Sequence, residues 1–180
     1  MSRVEELVAL RASVAAARRA LLEPARAREW MAPDVSFRPR GAGAVLAPGD
    51  QFRIELVGGW GFEYVVEGVS DREVVLSFKG PWDGTERWSF VADGAETLVR
   101  RVYEVERGAP LAMVAWETVG RPIVAAHLRL ELARLRSLVE RDPGPAAEIA
   151  PSAVRRVPPS GEPESPPEPT APLPFPVDDG

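Results

Sequence analysis

The chain has 180 residues, 45% of them hydrophobic, and a net charge of −5, which suits one domain with a real core and is short for two. It has no cysteine and a single histidine, His127; disulfides, thiolate chemistry, cysteine-based zinc sites and a histidine metal cluster are therefore excluded. Arginine supplies nearly all the positive charge, with Lys79 the sole lysine, yet no basic stripe that could exchange for counterions is visible, so no nucleic-acid partner is expected.

Val4, Val8, Leu10 and Ala12 alternate with other residues in an imperfect strand pattern. Arg11, Arg18 and Arg19 interrupt this apolar start, so it does not read as a secretory leader. Ser13 is placed as the N-cap of a short alanine-rich helix over Val14–Leu22, stopped by Pro24. A second short helix is expected over Ala25–Met31, carrying Trp30.

The middle of the chain reads as strand and turn. Phe52, Ile54 and Leu56 alternate with Arg53, Glu55 and Val57, Phe62, Tyr64 and Val66 alternate with Glu63, Val65 and Glu67, and Val74, Leu76 and Phe78 follow at the same spacing. This period of two predicts antiparallel strands with one apolar face. Trp82–Asp83–Gly84 reads as a turn. Asp93–Gly94 is the strongest local signal and predicts a type I′ hairpin that pairs Ala92 with Ala95. That register sets Phe90 against Thr97, Trp88 against Val99 and Glu86 against Arg101, on one face with Tyr103 and Val105. Arg87, Ser89, Leu98, Arg100, Val102 and Glu104 take the opposite face.

A long helix is expected from near Leu111, bending or restarting at Gly120–Pro122. Val124, Leu128, Leu132, Leu135 and Val139 form its apolar stripe, with Arg129, Arg134, Arg136 and Glu140 on other faces. The segment Leu111–Val139 carries too many charges to span a membrane. The cytoplasm is the expected location.

The composition changes near Asp142. Residues 142–180 hold 12 of the 19 prolines, and their excess of acids accounts for the whole net charge. This acidic, proline-rich tail is expected to be disordered, and its PLPFPV end offers a docking peptide for a protein partner. Removing 142–180 is expected to leave the melting temperature nearly unchanged; a loss of several degrees would refute the assignment.

The order of strand, two short helices, about six strands and a long helix gives an α+β fold. It resembles the START-like (SRPBCC) superfamily, including its bacterial polyketide cyclase/dehydrase and lipid-transport branches. The resemblance runs through ASVAAARRALLEPARAREWM, PGDQFRIEL, FKGPWDGTERWSFVADGAETLVRRVYEVE and PIVAAHLRLELARLRSLVE, and covers nearly all of residues 1–141. It implies a helix-grip fold, in which a curved antiparallel sheet of six or seven strands wraps a long C-terminal helix over an internal cavity. It carries no common catalytic motif and implies no cofactor.

The candidate ligand-binding residues are those expected to face that cavity: Phe52, Ile54, Phe62, Tyr64, Phe78, Glu86, Trp88, Phe90, Val99, Arg101 and Tyr103 from the strands, with Val124, Leu128 and Leu132 from the helix. The bland reading is that the rings only fill a core. For Glu86 and Arg101 it is a partly wet salt bridge at the sheet's end; the functional one is a pair that orients a ligand carboxylate or hydroxyl. His127 sits at the edge of the helix stripe, where packing is the simplest role. Trp30, Trp60, Trp82 and Trp116 are expected to rim the cavity or cap the core. The leading reading is a carrier or sensor for a small hydrophobic molecule. The alternatives are a cyclase or aromatase-type enzyme, in which Tyr64, Tyr103, Glu86 or Arg101 positions substrate and moves protons, and an interaction module acting through the tail.

Overall fold

The computed structural model describes residues 2–41, 43–56 and 59–142. Beyond Asp142, the proline-rich segment expected to be disordered lies outside them. Strand β1 (Ser2–Leu10) leads into α1 (Val14–Leu22) and α2 (Pro24–Trp30); β2 (Val35–Arg40), β3 (Gln51–Leu56), β4 (Trp60–Val69), β5 (Glu73–Lys79), β6 (Trp82–Asp93) and β7 (Glu96–Gly108) follow. The seven strands form one antiparallel sheet in the order β1-β7-β6-β5-β4-β3-β2, a meander closed by the return of β1 to β7. A helical rod then runs from α3 (Pro110–Ala115) through one widened turn at Trp116–Gly120 into α4 (Arg121–Arg141). This is the α+β helix-grip architecture expected from the element order.

Local chemistry sets the helix ends. The Ser13 hydroxyl accepts the Ala16 N–H at 3.2 Å and caps α1. Ser13→Ala is expected to cost about 1 kcal/mol, readable as a small drop in melting temperature. Pro24 ends α1 and opens α2 at its first turn, where a missing N–H is harmless. Pro122 explains the widened turn. It cannot donate to the carbonyl one turn back and its ring crowds that carbonyl, and the chain responds with a π-type bond from Arg121 N–H to the Trp116 carbonyl. Gly120 keeps this turn close to its neighbours, since an added Cβ would lie 2.9 Å from the Trp116 ring and 3.0 Å from that of Trp82.

Two sequence expectations need correcting. The β6–β7 hairpin turns at Gly94–Ala95, so Asp93 faces Glu96, Phe90 faces Val99, Trp88 faces Arg101 and Glu86 faces Tyr103. Gly94 alone takes positive φ there, which fits a II′ turn rather than the I′ expected from Asp-Gly. The slip is two residues, so every side chain keeps its face. Second, Trp82–Asp83–Gly84 is no turn; it is the start of β6, with a register shift between Asp83 and Gly84. The six strands expected after the short helices are all present, and the first of them, β2, is an edge strand that tolerates Pro39 because its outer N–H groups have no ladder to serve.

The core fills the space between the inner sheet face and the helices. Val124, Leu128, Leu132, Leu135, Leu138 and Val139 bury their side chains from α4, against Phe and Trp rings from the sheet.

Candidate functional site

Alternation places all of the candidate strand residues on the inner face, buried, and helical spacing brings Val124, Leu128 and Leu132 over them. Their rings form a ladder. Phe37 meets Phe52 at 5.1 Å between centroids, Phe52 stacks on Tyr64 at 5.0 Å, Tyr64 meets Phe78 at 5.4 Å, and Phe78 stacks on Tyr103 at 4.5 Å. Tyr103 in turn stacks on Trp116 of the helical rod at 5.7 Å. The step from Phe78 on β5 to Tyr103 on β7 passes over β6 at Gly84, where a Cβ would lie 2.6 Å from the Phe78 ring.

A charged cluster sits inside this aromatic shell. Arg101 donates from Nε to Glu86 Oε1 at 2.8 Å and from Nη1 to Glu131 Oε2. Glu86 Oε1 also accepts the Trp88 indole N–H at 2.6 Å, and its Oε2 accepts the Tyr64 hydroxyl at 3.3 Å. Glu131 Oε1 accepts the backbone N–H of Ala32 at 3.1 Å. The Arg101 guanidinium lies 4.3 Å from the Trp88 ring centre, close enough for a cation–π contact. Glu86, Arg101 and Glu131 are 2%, 5% and 3% exposed. The pair is therefore not the partly wet bridge at the sheet's end of the bland reading but part of a buried triad, and it meets diagonally rather than directly across the strands.

Burial acts against the charge on Arg101, but Glu86 and Glu131 outweigh it and hold the guanidinium protonated well above its ordinary range. Burial pushes the Tyr64 hydroxyl up, with Tyr103 and Glu86 adding to the effect. Burial likewise raises Tyr103. Both phenols are thus neutral hydrogen-bond donors at ordinary pH. The Tyr103 oxygen accepts the Trp82 indole N–H at 3.2 Å.

Two clefts open beside the triad. The first has about 420 Å³ of free space including its mouth, and is lined by Ile54, Phe62, Tyr64, Arg101, Tyr103, Val124 and Leu128 together with Met31, Val35, Leu56, His127 and Glu131. The second, of about 440 Å³ on the same measure, is lined by Phe52, Ile54, Glu86, Trp88 and Arg101 from the candidate set, and by residues of α1 and α2. Met31, Ile54 and Arg101 line both and form the partition. Much of this space is thin crevice, so a guest larger than a few waters requires the partition to shift; Met31 can repack readily. Phe78, Phe90, Val99 and Leu132 line neither cleft and act as packed core.

Two residues of α4 are additions to the set. Glu131 completes the triad, and its place in the apolar stripe follows from its spacing of three from Leu128 and four from Leu135. His127, one turn earlier, pairs through Nε2 with Asp34 Oδ2 at 3.1 Å. Together they fasten the Ala32–Asp34 segment to the helix. Met31, Val35 and Phe37 also line a groove on the outer surface, which makes this stretch a thin wall between interior and exterior. Of the five tryptophans, Trp30, Trp82, Trp88 and Trp116 are buried, and Trp60 packs edge-on against Trp82 at 5.2 Å. Among the described residues no group of three His, Asp or Glu converges as metal ligands, and no helix is long and apolar enough to cross a membrane.

No family model and no curated protein matches this sequence. Solved structures do. The KanY protein superposes with a TM-score of 0.62 at 16% identity, over 78% of this chain and 99% of its own. Aha1 from Colwellia psychrerythraea, solved as a dimer, gives 0.60 at 18% identity, over 80% and 100%. DynU16, a protein of the dynemicin biosynthetic locus, gives 0.57 at 17%, over 78% of this chain and 48% of its own. At these identities the likeness shows a shared helix-grip type of fold and nothing finer.

Proposed function

We propose that this is a START-like domain of the cytoplasm that holds a small apolar molecule between the sheet and α4, as a carrier or sensor. The observation that carries the reading is Arg101: it stands at the junction of two ring-lined clefts, and the Glu86 and Glu131 carboxylates and the Trp88 ring fix its position. A core that only had to pack would be cheaper with an apolar residue there, since buried ion clusters gain little over well-packed hydrophobic ones. Ligand sites, by contrast, combine an apolar lining with a few fixed polar groups. Burial of the guest's apolar surface supplies the driving force, at about 25 cal/mol per Å² before ordering costs. Native mass spectrometry of the freshly purified chain tests this. A co-purifying apolar molecule, lost in a Val124→Trp variant that fills the first cleft, is the expected result; a protein that stays empty and binds no hydrophobic probe would refute it.

The second reading, a cyclase or aromatase-type enzyme, is supported by the phenols on the first cleft and by the likeness to DynU16, a biosynthetic-locus protein. Against it, Tyr64 and Tyr103 are held neutral, so neither serves as a base in its resting form.

A further inference from the structure

We propose that the cavity admits uncharged apolar molecules bearing a hydrogen-bond acceptor, a carbonyl above all, and turns away carboxylates and phosphates. The inference rests on the ligand-holding reading and narrows it. The charged groups on the first cleft are Arg101 and Glu131, with the His127 imidazole beside them, and those on the second are Glu86 and Arg101. Arg101 already has a carboxylate on two of its nitrogens, and His127 already has Asp34. An incoming anion would be the third carboxylate around one guanidinium, away from water, where like charges repel strongly. It could not displace the resident pair cheaply. Glu86 is tied also to Trp88 and Tyr64, and Glu131 to the Ala32 N–H.

The neutral donors point to the acceptor. The Tyr103 hydroxyl lines the first cleft, its oxygen takes the Trp82 N–H, and its polar neighbour Tyr64 gives its own proton to Glu86. Behind it, Trp116, stacked on Tyr103 and fully buried, has an indole N–H with no acceptor among the described residues. A guest carbonyl would offer the Tyr103 hydroxyl a stronger acceptor than a neighbouring phenol without adding charge. A cationic guest gains less, because each oxygen of Glu86 and Glu131 already accepts a hydrogen bond and Arg101 stands beside both.

Three probes of similar size and different polarity test this on the full chain by calorimetry at neutral pH: 2-acetylnaphthalene, 2-ethylnaphthalene and 2-naphthoate. The ketone should bind about 5-fold tighter than the hydrocarbon, as one hydrogen bond to a neutral donor allows. Naphthoate should bind at least ~50-fold more weakly than the ketone. Tyr103→Phe should bring the ketone's Kd to that of the hydrocarbon, and Glu131→Gln should bring naphthoate at least ~10-fold closer to the ketone. The comparison on the unaltered chain needs no variant to fold. Naphthoate binding as tightly as the ketone, or ketone and hydrocarbon binding alike, would overturn this inference alone. Failure of all three to bind would overturn it together with the reading beneath it.

Discussion

Arg101→Met should destabilise the domain by about 3–5 kcal/mol, the cost of leaving buried carboxylates without their cation. Glu86 and Glu131 would then face one another across a shape-matched but apolar side chain, with only neutral donors left: the Trp88 indole, the Tyr64 hydroxyl and the Ala32 N–H. The cation–π contact to Trp88 would go as well. Denaturant unfolding followed by tryptophan fluorescence checks this. The triple variant Glu86→Gln, Arg101→Met, Glu131→Gln should recover most of the loss, because the penalty comes from unpaired charge rather than lost packing. Equal destabilisation of the single and triple variants would show that the guanidinium matters as a spacer, not as a charge.

Gly84→Ala should be nearly as damaging, at about 3 kcal/mol, toward the upper end for an overpacked site. The added Cβ would lie 1.9 Å from the Glu104 carbonyl oxygen and 2.6 Å from the Phe78 ring. Neither can yield easily: the first is backbone of the paired strand β7, and the second is wedged between Tyr64 and Tyr103. Relief requires opening the β6–β7 ladder at its bulge, which also parts Phe78 from Tyr103. A lower denaturation midpoint with weakened near-ultraviolet circular dichroism is the expected signature. An unchanged midpoint would mean that this end of β6 is loosely held.

The strand faces were legible from alternation alone. Phe52, Phe62, Tyr64, Phe78 and Trp88 all point inward because a side-chain period of two leaves no other choice once one face is apolar. The hairpin register was not. Asp-Gly locates a turn only to within a residue, and a shift of the turn by one residue moves cross-strand partners by two while leaving the faces intact. That is why Glu86 and Arg101 were expected as neighbours on one face, and are, although their direct partners are Tyr103 and Trp88. Glu131 was missed because a carboxylate between leucines reads as the wet side of a helix; only its partner, far away on β7, makes burial affordable. Strand β2 gave no clean alternation, since VSFRPR mixes Pro39 and two arginines into an edge. The His127–Asp34 pair, 93 residues apart in the chain, has no sequence signal at all.

Glu131 grips the interior cation with one oxygen and the Ala32 amide, in the outer wall, with the other. A disturbance at Arg101 therefore cannot remain private to the interior, because the same short side chain transmits it outward. Solvent exchange of the Ala32 amide proton thus becomes a gauge, legible from outside the molecule, of whether anything has settled beside the guanidinium.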